Sequence, residues 1–146
     1  MSIEPDLLVV SGSGQPIAAV EVKMRPHLAE ADATAIRRNL FLHGVLAPID
    51  YVLIVSQEFG YLWGPGKRQL PEAKPDLKFS MLPVLQRYGF VTGGRTFPSQ
   101  LELLVASWVQ ELVSSPKGTS EPELSLERAH FLSALQNGHV LSEARL

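Results

Sequence analysis

Two short apolar runs, Leu7 to Val10 and Ile17 to Val22, lie either side of the turn-forming stretch Ser11-Gly12-Ser13-Gly14-Gln15, and this arrangement constrains the chain more than any other feature. Short β-prone runs bounded by a proline and a Gly/Ser-rich turn read as two antiparallel strands. Their near-continuous apolar character predicts burial on both faces, as in central strands. If the turn centres on Ser13-Gly14, paired residue numbers sum to 27, which sets Asp6 opposite Glu21 and Glu4 opposite Lys23. Cross-strand partners share a face, and strand alternation returns Lys23 to the face of Glu21 while Val22 points the other way. A turn about Gly12-Ser13 slides the pairing by two and keeps that face, whereas a slip of one residue breaks the cluster.

Two carboxyls held this close repel each other, and without compensation one takes up a proton. A hard divalent cation removes the conflict. Mg²⁺ favours a few carboxylate or carbonyl oxygens plus waters at about 2.1 Å, so Asp6, Glu21 and the backbone carbonyl of Val22 form a candidate ligand set. Such an ion activates water and stabilises charge on a phosphoryl group, and Lys23 can orient the water or neutralise developing charge. The chemistry favoured is phosphodiester hydrolysis. The competing reading is a surface hairpin with a Glu4 to Lys23 salt bridge, which is worth about 0–1 kcal/mol when exposed.

The 146 residues, 45% hydrophobic, suit a single domain with a sizeable core. The lack of cysteine excludes disulfides, thiolate zinc sites and a thiol nucleophile, and fits a cytoplasmic protein. The start MSIEPDLLVV lacks signal-peptide character, and no apolar run approaches the ~20 residues of a membrane span. A net charge of −2 gives no global positive field, although Lys23, Arg25, Arg37, Arg38, Lys67 and Arg68 leave room for a local basic groove in the first half.

Further along, Ala29, Ala33, Ile36 and Leu40 form one stripe of a helix from about Ala29 to His43, with Gly44 as its stop. Tyr51 to Val55 and Phe59 to Trp63 read as a second hairpin, closed by Gly64-Pro65-Gly66. A short helix is expected around Met81 to Tyr88. A capping box at Ser99 and Glu102 predicts a helix from about Gln100 to Val113, and a last helix runs from about Leu126 to Gln136, ended by Asn137-Gly138. Residues 1–66 thus form a hairpin/helix/hairpin core and 97–146 a set of C-terminal helices. The expected fold class is α/β, with a mixed sheet of about four strands flanked by helices.

Glu4-Pro5-Asp6 followed by Glu21-Val22-Lys23 resembles the PD-(D/E)xK superfamily of restriction-endonuclease-like nucleases. There the aspartate opens one strand, E-x-K lies on the next antiparallel strand, and a helix and a further strand follow, an order matched from Glu4 to Val55. More narrowly, EPDLLVV, AVEVK, IRRNLFLHG and YVLIVSQEFGYLW are similar to a family of small bacterial proteins common in cyanobacteria, and the likeness extends loosely through LELLVASWVQEL. The resemblance implies a restriction-endonuclease-like fold and a Mg²⁺- or Mn²⁺-dependent nuclease acting on DNA. Asp6 and Glu21 would hold the metal, Lys23 would be the catalytic lysine, and Glu4 an accessory acid. It also suggests a phosphate contact at Arg37, about 100° from Ile36 around the helix, against the alternative that its stem simply packs on the helix surface.

Superfamily members usually place a helix, often carrying another acid, and one strand before the PD motif, yet five residues precede Asp6 here. The chain is therefore expected to be N-terminally shortened, with Glu4 replacing that acid, or with a partner chain or the C-terminal helices covering the exposed side. The rival function is a catalytically inactive binding or assembly module of the same fold, homodimeric through that side. Other motifs carry less. Gly64-Pro65-Gly66-Lys67-Arg68 fails as a phosphate loop because Tyr61 and Arg68 occupy positions that need glycine and Ser/Thr. His27, His43, His130 and His139 lack metal spacing, and Trp63 and Trp108 fall in core stripes.

Overall fold

The computed structural model describes residues 5–42, 49–90, 98–115 and 117–142. Its first hairpin joins β1 (Leu7–Val10) to β2 (Pro16–Val22) in the expected register: Leu7 faces Val20, Leu8 faces Ala19 and Val9 faces Ala18. A bulge after Val9 shifts the last pair to Val10 and Pro16. The turn closes through the Gly14 N–H to the Ser11 carbonyl at 2.9 Å, with Gly14 at φ +87°, a conformation that costs other residues more than glycine.

From β2 the chain passes through α1 (Glu30–Leu42) to β3 (Tyr51–Val55), which lies parallel to β2. Parallel neighbours need such a crossover because a tight turn cannot reverse the chain twice. β4 (Phe59–Trp63) then returns antiparallel to β3, and β5 (Leu77–Ser80) antiparallel to β4. The helices α2 (Leu82–Arg87), α3 (Pro98–Ser114), α4 (Glu123–Arg128) and α5 (Phe131–Leu135) follow, before β6 (His139–Ser142) pairs antiparallel with β1. The result is a six-stranded mixed sheet in the order β5-β4-β3-β2-β1-β6, flanked by helices on both faces: an α/β fold.

Strand alternation divides the core into two layers. Leu7, Val9, Val20, Val22, Leu53, Val55 and Leu62 pack towards α2–α5, with Leu101, Val105, Trp108, Phe131 and Leu135. Ala19, Val52, Ile54, Tyr61 and Trp63 pack on the other face with Leu28, Ala33 and Leu40. Both tryptophans are fully buried, as their stripes require.

Several elements differ from the sequence reading, each for a physical reason. The sheet has six strands rather than about four, because β5 and β6 are four-residue segments whose stability comes from partners elsewhere in the chain. α3 begins at Pro98, so Ser99 sits in its first turn rather than before it; proline suits that position because its missing N–H would be unsatisfied there. The expected last helix is two helices, broken where His130 takes φ +64°. In α1 the buried stripe is Ala33, Arg37 and Leu40, with Ala29 exposed. His43 and Gly44 lie outside the described residues. Finally, the flank of β1 away from β2 is covered by β6, a strand from the C-terminal region, where C-terminal helices or a partner chain were expected.

Candidate functional site

The β1–β2 ladder begins at Leu7 and Val20, and one step outward along the same register sets Asp6 against Glu21. Here β1 has ended while β2 continues. The Val22 N–H, which faces the β1 side, has no strand carbonyl to meet and donates instead to Asp6 Oδ2 at 2.7 Å. The Glu21 carboxyl lies beside Asp6, and the two carboxyls interact through a hydrogen bond. Asp6 thus satisfies the backbone of the opposite strand as the two diverge. Within a strand the N–H and C=O of one residue point to the same side, so the Val22 carbonyl opens towards this gap as well.

Glu21 is 6% exposed, on the α1 face of the sheet. Its carboxyl is pushed from an ordinary 4.5 up to about 9, first by burial, then by the hydrogen bond with Asp6 and the Asp6 charge, while Lys23 pulls it down by less. At neutral pH Glu21 therefore keeps its proton and donates it to Asp6. The repulsion anticipated from the spacing is resolved by protonation. Lys23 extends the β2–β3 ladder through its N–H to the Val55 carbonyl at 2.9 Å, which returns its side chain to the Glu21 face. Arg25 is exposed beyond it.

Glu4 lies outside the described residues. Arg37 is placed away from the carboxyl pair. It is 1% exposed, donates to the Lys67 carbonyl at 2.6 Å and the Leu70 carbonyl at 2.8 Å, and lies 5.4 Å from the Trp63 ring centroid and 5.7 Å from that of Phe41. Burial lowers its pKa. The helical angle suits Arg37 to reach a site at the sheet edge; what it meets is the carbonyl-rich loop after β4, two strands from β2. Arg37 pins that loop to α1 and does not reach towards Asp6.

The Gly64–Arg68 stretch forms a tight turn with a 3-10 segment, Pro65–Lys67, and its cations are engaged internally: Lys67 pairs with Asp76 at 3.0 Å and Arg68 with Asp50 at 2.7 Å. His27 is paired with Glu58 at 2.8 Å on the surface. The sequence reading missed a cleft of about 370 Å³ bordering Asp6, lined by Leu7, Ser99, Glu102, Leu103, Ala106 and Ser142. No local signal marks it, since its walls come from β1, α3 and β6. It also missed buried Glu123, which accepts from Trp108 Nε1 at 3.0 Å and from Arg87, tying α2, α3 and α4 together.

The donor set suits a hard cation once Glu21 gives up its proton: two carboxylates and a carbonyl on one gap, with waters completing an octahedron as Mg²⁺ tolerates. Among the described residues, no group of three or more His, Cys, Asp or Glu is arranged to hold a metal, so the ion would lean on these oxygens and on water. Among them, too, no helix is long and apolar enough to cross a membrane. No protein-family model, curated protein or solved structure matches the chain.

Proposed function

We propose that this protein is a metal-dependent phosphodiester hydrolase of the PD-(D/E)xK, restriction-endonuclease-like type, acting on DNA with Mg²⁺ or Mn²⁺. The observation that carries the reading is the register-matched Asp6–Glu21 pair at the point where β1 and β2 part, with Lys23 two residues along on the same face. Otherwise apolar strands have no structural need for a buried acid held against its own charge, and such exceptions to the binary pattern concentrate at functional sites.

Asp6, Glu21 and the Val22 carbonyl would hold the ion, which when bound supplies stabilisation of negative charge on the phosphoryl group. Glu21 must release its proton for this, and Asp6 must exchange its bond to the Val22 N–H for the ion. Lys23 holds the attacking water and offsets charge on the phosphate oxygens. The pairing of β6 with β1 supports the reading, since superfamily members also carry a strand on that side of the aspartate strand.

The rival is the inactive module. In its favour, the pair satisfies itself: Asp6 has the Val22 N–H and Glu21 keeps a proton. Titration calorimetry with Mn²⁺ and a nuclease assay on labelled DNA separate the two. The enzyme reading expects metal binding lost in Asp6→Ala, and cleavage lost in Asp6→Ala and Lys23→Ala. Absence of metal binding, or cleavage unchanged in both variants, would overturn it. A dimer in solution, measured by light scattering, is expected only by the rival.

A further inference from the structure

We infer that the cleft beside Asp6 receives one unstacked base of a single-stranded DNA substrate, an inference that rests on the nuclease reading above. The cleft sits on the β6 and α3 side of Asp6, away from Lys23. At about 370 Å³ it falls at the small end of ligand-sized clefts, which run to roughly 1,000 Å³. A planar ring fits this scale, and a duplex does not.

Its lining has the chemistry of a base site. Leu7, Leu103 and Ala106 form an apolar wall, and Leu103 is 69% exposed, presenting a face against which a ring can stack. Ser99 and Ser142 bring hydroxyls that donate or accept. Glu102 brings a carboxylate, whose two oxygens offer about four acceptor sites and so can take an exocyclic amino group in addition to a protein partner.

The sign of the charge gives the orientation. Among the described residues no Lys, Arg or His lines the cleft, and Asp6 and Glu102 do, so this lining disfavours a phosphate and accepts a neutral base with amino donors. The cations near the acid pair, Lys23 and Arg25, follow β2 on the opposite side. A strand crossing this end of the sheet therefore sets its backbone towards Lys23 and turns a base into the cleft. A base within a duplex is stacked and paired and cannot turn in without leaving the helix, so single strands, flaps and frayed ends are the preferred substrates.

The test is fluorescence anisotropy in EDTA, where no cleavage competes, with a dye-labelled single-stranded oligodeoxynucleotide and its blunt duplex, alongside Mn²⁺ calorimetry on the same proteins. The single strand is expected to bind at least about tenfold more tightly than the duplex. Ala106→Phe, which fills the cleft, and Leu103→Ser, at an exposed position that leaves the core untouched, are each expected to weaken single-strand binding by about tenfold, the scale of losing one stacked base. Neither should alter the Mn²⁺ heat or the melting temperature. Equal binding of duplex and single strand, no binding of either, or wild-type affinity in Leu103→Ser would overturn the inference. Duplex cleavage with normal Mn²⁺ binding would remove the cleft's role and keep the nuclease. Single-strand preference sensitive to Leu103→Ser but without any Mn²⁺ heat would keep the cleft and remove the metal site.

Discussion

Replacing Glu21 by glutamine should stabilise the metal-free protein, and by an amount that depends on pH. The folded state holds Glu21 protonated, with its pKa raised from 4.5 to about 9, whereas the unfolded chain ionises it at the ordinary value. A raised folded pKa means that stability from this group is fully present below 4.5 and is lost as pH rises towards 9. Each unit is worth about 1.4 kcal/mol, so the two and a half units between 4.5 and pH 7 amount to roughly 3 kcal/mol. Glutamine keeps the neutral form at every pH. Its amide nitrogen can donate to Asp6 as the protonated acid does. Urea unfolding in EDTA, followed by the fluorescence of the buried Trp63 and Trp108, gives the difference directly, and titrating groups remote from Glu21 cancel between the two proteins. The expected gain for Glu21→Gln is near zero at pH 4 and about 3 kcal/mol at pH 7. A difference independent of pH, or a variant less stable at pH 7, would refute the account of a protonated buried acid.

Arg37→Met removes the donors to the Lys67 and Leu70 carbonyls and should cost about 2–4 kcal/mol in urea unfolding, with Mn²⁺ binding unchanged; altered metal affinity at unchanged stability would return Arg37 to the site. Gly14→Ala places a side chain at φ +87° and should cost about 1 kcal/mol by the same measurement, whereas a neutral result would mean that the turn relaxes without strain. Trp108→Phe leaves buried Glu123 with one donor fewer and should cost about 1–3 kcal/mol, seen as a lower thermal midpoint. If Mn²⁺ binds, calorimetry in buffers of different ionisation enthalpy should show about one proton released per ion at pH 7, with affinity rising towards tenfold per pH unit below about 9, because Glu21 must ionise first. Binding without proton release would exclude Glu21 as a ligand.

The acid pair was legible in the sequence because a hairpin is local: turn length fixes register, and register fixes which side chains meet. The strands of both early hairpins and the crossover helix α1 were legible for the same reason, through short apolar runs bounded by turn residues and a period-3.6 stripe, all carried by Leu7 to Trp63. What escaped is what depends on distant partners. His139-Val140-Leu141-Ser142 has little strand character of its own and becomes β6 by pairing with β1 from the other end of the chain. Arg37 could be given an angle around α1, but the carbonyls of Lys67 and Leu70 that capture it come from a loop whose path the pattern does not encode. The cleft beside Asp6 combines β1, α3 and β6, three segments that no sequence window contains together.

The hairpin alone brings Asp6 and Glu21 together, but the low solvent access that holds a proton on Glu21 is imposed by the folded sheet and the helix layer on its α1 face. If a cation binds as proposed, tertiary packing sets its affinity: the same burial that makes ionised Glu21 costly without a cation strengthens its attraction to a cation that replaces the proton, since both follow from reduced solvent screening. Loosening the α1 layer over Glu21 should act on the carboxyl only through that screening, by letting water in and drawing the Glu21 pKa back towards its ordinary value. The register that sets the two acids opposite each other, fixed by the β1–β2 ladder, would remain.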